Sequence, residues 1–263
     1  MDNDNIAYGI FARFYDEFTE NIDYQKRGEY FDSIIKRFGG IKNGKLLDLA
    51  CGTGSLSEVM SSMGYDVTGA DISEDMLAEA EHKRFQTGSN ILYILQDMTE
   101  LALDKPVDIV ICALDSLNHL AGEGEVEKAF SSVSQNLKDG GLFIFDMNSI
   151  YKHSEILGNN RFVYERDDVF FVWQNEYENG RVDIFLDFFI PLESGLYERY
   201  SEDFSEIAYS TEKMTELLEK TGFSQLAIYG DDSFEQPNEH TERLIFVAQK
   251  NNKKILRKPL TNQ

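Results

Sequence analysis

The stretch Lys45–Met60, KLLDLACGTGSLSEVM, decides the fold. Leu46 to Ala50 read as a short apolar strand, Cys51-Gly52-Thr53-Gly54 as a turn of small residues, and Ser55 onward as the opening of a helix. Such a unit points backbone N–H groups into the mouth of a crevice, where they meet something polar or anionic. The pattern falls short of the dinucleotide fingerprint G-x-G-x-x-G, because Ser57 stands where the third glycine allows close helix packing. A phosphate-cradling loop fits less well, since no Lys-Ser/Thr pair follows the glycines.

Outward from this stretch the chain alternates strand and helix. YDVTGAD, ILYILQD, VDIVICAL and LFIFDMN read as further strands, with helices at SEDMLAEAEHKRF and VEKAFSSVSQNL and a turn at KDGG. Apolar strands separated by amphipathic helices predict a mostly parallel sheet covered on both faces, an α/β Rossmann-like fold. Two helices, IAYGIFARFYDEF and YQKRGEYFDSIIKRF, precede it.

After Asn148 the period changes. Between about residues 161 and 209 the runs DDVFFVWQNEY, RVDIFLDFFI and LYERYSEDFSEIAY alternate with period two around the turns ENG and PLESG. This predicts an inserted antiparallel β-meander whose aromatics bury one face against the sheet edge or a second subunit, as a lid or a dimer contact. The helix STEKMTELLEKTG, capped by Ser210 and stopped by Gly222, and the strands FSQLAIYG and RLIFVAQK complete the sheet. The expected divisions are 1–150 (helices and core), 151–209 (insertion), 210–250 (completion of the core) and 251–263 (a frayed basic tail).

Of 263 residues 42% are hydrophobic, enough for a packed core. The formal charge of −22 repels phosphate backbones and argues against nucleic acid as the partner. No apolar run approaches membrane-spanning length, and two cysteines, Cys51 and Cys112, predict free thiols and a cytoplasmic setting.

The acids near the glycines say what the loop holds. Asp48 precedes it, and a carboxylate there repels a pyrophosphate but accepts an ammonium. Asp71 ends the second strand, where it suits two ribose hydroxyls, and Asp97 ends the third, where it suits an exocyclic amine. The three describe a ligand with a cationic end, a ribose and a base, which fits S-adenosylmethionine. LLDLACGTG resembles the first motif of class I S-adenosylmethionine-dependent methyltransferases. VTGADISEDMLAEA, LQDM and VDIVICALDSLNHL resemble the three motifs that follow it in that family, and FARFYDEF resembles the segment that small-molecule members lay over the cofactor. The resemblance covers about residues 43–148 and the last two strands. It implies a seven-stranded methyltransferase fold and cofactor contacts from Tyr15, Asp48, Ala50, Gly52, Thr53, Gly54, Asp71, Ile72, Met76, Asp97, Met98 and Leu114, with S-adenosylhomocysteine as product.

Methyl transfer needs alignment of nucleophile, methyl and sulfur, and a base only when the nucleophile arrives protonated. The candidates follow the fourth strand: Asp115 and His119 for proton handling, and Asn118 with Arg199 and Tyr209 for the acceptor. No Asn-Pro-Pro-Tyr-type segment stands there, which favours a small-molecule acceptor over a nucleic-acid base. Metal ligation is not expected. The alternatives are an NAD-type oxidoreductase, disfavoured by Ser57 and Asp48, and a non-catalytic S-adenosylmethionine-binding module.

Overall fold

A computed structural model describes residues 12, 14–16, 19, 22–166, 169–230 and 232–252. Tyr8, most of the first predicted helix and nearly all of the basic tail lie outside the described residues. Helix α1 (Tyr24–Arg37) starts at Asp23, whose side chain accepts from the Lys26 amide, and ends with Lys36 and Arg37 at its negative pole. Its buried stripe is Tyr30, Phe31, Ile34 and Ile35.

The alternating region gives β1 (Lys45–Leu49), α2 (Ser55–Ser62), β2 (Asp66–Asp71), α3 (Glu74–Thr87), β3 (Leu92–Leu95), β4 (Val107–Cys112), α4 (Glu123–Asn136) and β5 (Leu137–Asn148). A short 3-10 turn, Ser116–His119, lies between β4 and α4, and a π-helical turn, Lys152–Leu157, follows β5. The second sheet holds β6 (Arg161–Glu165), β7 (Phe170–Glu178), β8 (Arg181–Pro191) and β9 (Tyr197–Ile207). Helix α5 (Thr211–Lys220), capped by the Ser210 hydroxyl, leads to β10 (Phe223–Gly230) and β11 (Arg243–Lys250).

The main sheet has the order β10-β11-β5-β4-β1-β2-β3 and is parallel except for β11. All six residues of β4 are buried, as a central strand covered on both faces requires. One face packs on α4 and α5 through Phe130, Val133, Leu217 and Leu218. The other packs on α1, α2 and α3 through Phe31, Ile34, Leu56, Met60 and Leu77. β1 pairs with β2 on one side and β4 on the other. The chain therefore reverses direction across the sheet here, and the crevice beyond the carboxyl ends of β1 and β4 is the ligand-binding edge of such folds.

Three local expectations are corrected. KDGG is part of β5, not a turn before it, because Leu137 already pairs with Val107 and Lys138 bonds to Asp108 across a register shift. β3 ends at Leu95, so Asp97 stands two residues past the strand. The meander has a fourth strand, β6, and its aromatics divide between two faces: Phe171 and Phe188 are buried, while Phe185 and Tyr197 are exposed. Adjacent residues of a strand point to opposite faces, so Phe170-Phe171 and Phe188-Phe189 cannot share one. The inner face makes its own small core with Leu157, Val169 and Phe14.

Candidate functional site

The glycine loop leaves β1 through Ala50, Gly52 and Gly54, all with positive φ (56°, 54° and 75°). A Cβ on Gly54 would stand 2.3 Å from the Tyr93 hydroxyl, so this glycine lets α2 approach β3. A Cβ on Gly52 would meet nothing within 4 Å, which leaves that backbone open to a ligand. The Gly52 amide donates to Asp71 Oδ2 at 2.8 Å, and the Ser73 amide donates to Oδ1 at 2.9 Å. Asp71 thus links the loop to the start of α3 and keeps its remaining lone pairs for a ligand. Burial raises its pKa, and the amides of Ser73, Gly52 and Ile72 oppose that rise.

Asp48 lies beneath the loop, 2% exposed, and accepts from Ser57 Oγ at 2.5 Å. The serine that replaces the third fingerprint glycine is therefore the partner of the buried acid. Burial pushes the Asp48 carboxyl up to about 7, against the Ser57 hydrogen bond and with help from the charge of Asp71. Next to Asp71, Ile72 is 70% exposed, and Met98 is half-buried. Ser73 Oγ accepts from the Met76 amide. Asp97 is exposed, and its Oδ1 accepts from the Thr99 amide and hydroxyl at 2.7 and 2.8 Å. An open glycine backbone, an exposed apolar side chain beside a carboxylate, and an acid buried under the loop fit a nucleoside cofactor with a cationic end.

A latch closes over the loop from the N-terminal segment. Asp16 Oδ1 accepts from Thr53 Oγ1 at 2.7 Å and Ser55 Oγ at 3.2 Å, and Lys83 of α3 pairs with Asp16 at 2.5 Å. Tyr15 is next in the chain, and its phenol pKa is raised by burial, then by Tyr24 and Asp115. Asp16 belongs to the FARFYDEF segment that the sequence resemblance singles out, whereas Lys83 carries no sequence signal beyond an ordinary solvated charge.

At the carboxyl end of β4, Leu114 and Asp115 are both left-handed (φ 60° and 55°). Both amides donate to Asp146, at 2.9 and 2.7 Å, and this buried acid also pairs with Arg27 at 2.9 Å and with Arg243. Arg243 reaches Asp115 Oδ1 at 2.7 Å. Burial alone would raise the Asp115 pKa, but Arg243, Lys152 and His119 outweigh it and hold the carboxyl well below the usual range. A carboxylate inside the apolar strand LFIFDMN was the readable sign of Asp146.

The seam between the two sheets completes the site. Glu206 of β9 is 4% exposed and points inward with Phe204. Asn148 Nδ2 lies 2.9 Å from both Asp115 Oδ2 and Glu206 Oε2, and His153 Nε2 lies 3.1 Å from Glu206 Oε2. His119 is exposed and packs its ring on Phe204, centroids 5.1 Å apart. Asp115, His119 and Glu206 bring their polar atoms within 4.8 Å of one another. Such a donor set also suits a divalent cation, but Arg243, Asn148 and His153 already donate to its carboxylates.

The expected acceptor residues fare differently. Asn118 is fully buried; its amide donates to the carbonyls of Ile207 and Asn148 and accepts from the Asn148 amide, so it braces the loop and faces no crevice. Arg199 lies on the outer face of the second sheet, bound twice to Asp187 at 2.9 Å, and does not line the seam. Tyr209 is buried in the main core, and burial pushes its phenol up to about 12.

A seven-stranded sheet with one antiparallel strand, and a glycine loop at its switch point flanked by Asp71, define an α/β protein built around a nucleoside cofactor. A methyltransferase-domain family model matches residues 46–141. A putative methyltransferase of Bacillus subtilis, YqeM, is 31% identical over 247 residues, covering 93% of this chain and 98% of that protein. A S-adenosylmethionine-dependent methyltransferase structure from Clostridium acetobutylicum is similar with a TM-score of 0.84 and 33% identity, covering 93% of this chain and 99% of that one. The sugar N-methyltransferase KedS8 from Streptoalloteichus shares the fold at 20% identity, with a TM-score of 0.75 and coverage of 90% and 93%. This chain belongs to the class I S-adenosylmethionine-dependent methyltransferases.

Proposed function

We propose that the protein moves the methyl group of S-adenosylmethionine to nitrogen or oxygen of a small-molecule acceptor by in-line displacement. In this reading Asp71 binds the ribose, Asp97 the adenine amine, and Ala50, Gly52, Thr53 and Gly54 close on the amino-acid end. Ile72, Met76, Met98 and Leu114 flank the nucleoside, Tyr15 covers the cofactor, and Asp48 favours its ammonium electrostatically from below the loop.

The observation that carries the reading is the convergence of Asp115, His119 and Glu206 at the seam beside the cofactor loop. When bound, the cofactor supplies a methyl already attached to its leaving group. The chain's part is to orient the acceptor, exclude water and take up a proton at His119. Orientation of this kind accounts for roughly 7–11 kcal/mol in well-aligned intramolecular reactions.

Calorimetric titration with S-adenosylmethionine, S-adenosylhomocysteine and NAD tests the cofactor, and release of S-adenosylhomocysteine over a panel of amines and hydroxy compounds tests turnover. Binding of NAD without S-adenosylhomocysteine overturns the proposal.

A further inference from the structure

We infer that the acceptor is an amine, and that Glu206, supplied by the inserted sheet, is the residue that selects it. The inference rests on the methyltransferase reading above. It starts from the partners of Glu206. Its Oε2 accepts from Asn148 Nδ2 at 2.9 Å, and the fully buried His153 places Nε2 3.1 Å from the same oxygen.

The described donors to Glu206 reach Oε2, and none of them reaches Oε1. On the other side of Asn148, Arg243 pairs with Asp115 and holds it as a carboxylate. The basic groups nearby are already engaged: Arg243 is shared between Asp115 and Asp146, and Lys152 donates to Asn148 Oδ1. The cluster opens to solvent through His119.

Two fixed carboxylates facing a methyl donor discriminate between nucleophiles. When a neutral amine attacks, the N–C bond forms, and the C–S bond breaks with its electron pair going to sulfur. Positive charge passes from sulfur to nitrogen, and the N-methylammonium then gives a proton to His119 or solvent. Asp115 and Glu206 stand where that charge arrives, so their attraction grows along the reaction coordinate. A phenol attacks as its oxyanion, which the same carboxylates repel. An acceptor carboxylate is repelled likewise.

The test uses the full chain saturated with S-adenosylhomocysteine and three matched probes, cyclohexylamine (an ammonium at this pH), neutral cyclohexanol and cyclohexanecarboxylate, observed by saturation-transfer NMR at pH 7.5. Binding of the amine alone is expected, weakened about tenfold or more in Glu206→Gln with S-adenosylhomocysteine affinity unchanged, which also reports an intact fold. Cyclohexanol or carboxylate binding as well as the amine does, no amine binding, or an unaffected Glu206→Gln overturns the inference and leaves the methyltransferase reading standing. Loss of S-adenosylhomocysteine binding by the wild type sinks that reading instead.

Discussion

The Gly52 amide donates to Asp71 Oδ2 at 2.8 Å, so the loop after β1 and the acid that ends β2 form one unit. Under the proposed function, replacing Asp71 removes a ribose partner and the loop's anchor together. Asp71→Ala is expected to weaken S-adenosylhomocysteine by about tenfold or more in calorimetric titration. Unchanged affinity would show that the carboxylate serves the loop alone.

Asp16, Thr53, Ser55 and Lys83 join the N-terminal segment to the loop through partly exposed groups. Exposed ion pairs contribute little and are screened by salt. Asp16→Ala should therefore weaken S-adenosylhomocysteine by only about threefold, and the difference should shrink at high ionic strength. A loss as large as that of Asp71→Ala would place Asp16 in contact with the cofactor.

Asp146 answers two arginines and two backbone amides from a fully buried position. Removing one partner of a buried pair strands the others, at roughly 3–5 kcal/mol. Asp146→Ala should show a loss of that size in urea unfolding, because Leu114 and Asp115 lose what holds them left-handed. A loss below 1 kcal/mol, on the scale of about ±0.5 for surface changes, would mean the network relaxes around the gap.

The pH dependence of stability has a window set by Asp48. Its carboxyl is raised to about 7 from 3.8, so between these values the folded state holds a proton that the unfolded state has lost. Stability from this group is present below about pH 4 and is lost as pH rises toward 7, on the order of 4 kcal/mol at most. Asp115, with a depressed pKa, acts in the opposite sense and only below about pH 4, so the windows do not overlap. Urea unfolding at pH 5 and pH 8 should show the decline in wild type and a flatter profile in Asp48→Asn. Parallel profiles would assign the decline to other groups.

The sequence by itself determined the main sheet, the glycine loop and the cofactor class. Strand and helix periods are local, Gly52 and Gly54 declare their conformations, and Asp71 is tied to its strand end by spacing alone. The shape of the second sheet was half legible: its turn residues Asn179 and Gly180 announce a hairpin, yet the strand pattern does not say which aromatics are covered.

What only the tertiary structure decided is the polar cluster at the seam of the two sheets. Asp115, Asn148, His153 and Glu206 are separated by up to 91 positions and meet because the inserted sheet folds back on the end of β5. Contact across a seam leaves no periodic trace in either segment. Asn118 and Arg199 show the converse. As sequence both read as acceptor residues, but burial gave Asn118 to backbone carbonyls, and strand alternation turned Arg199 to the outer face.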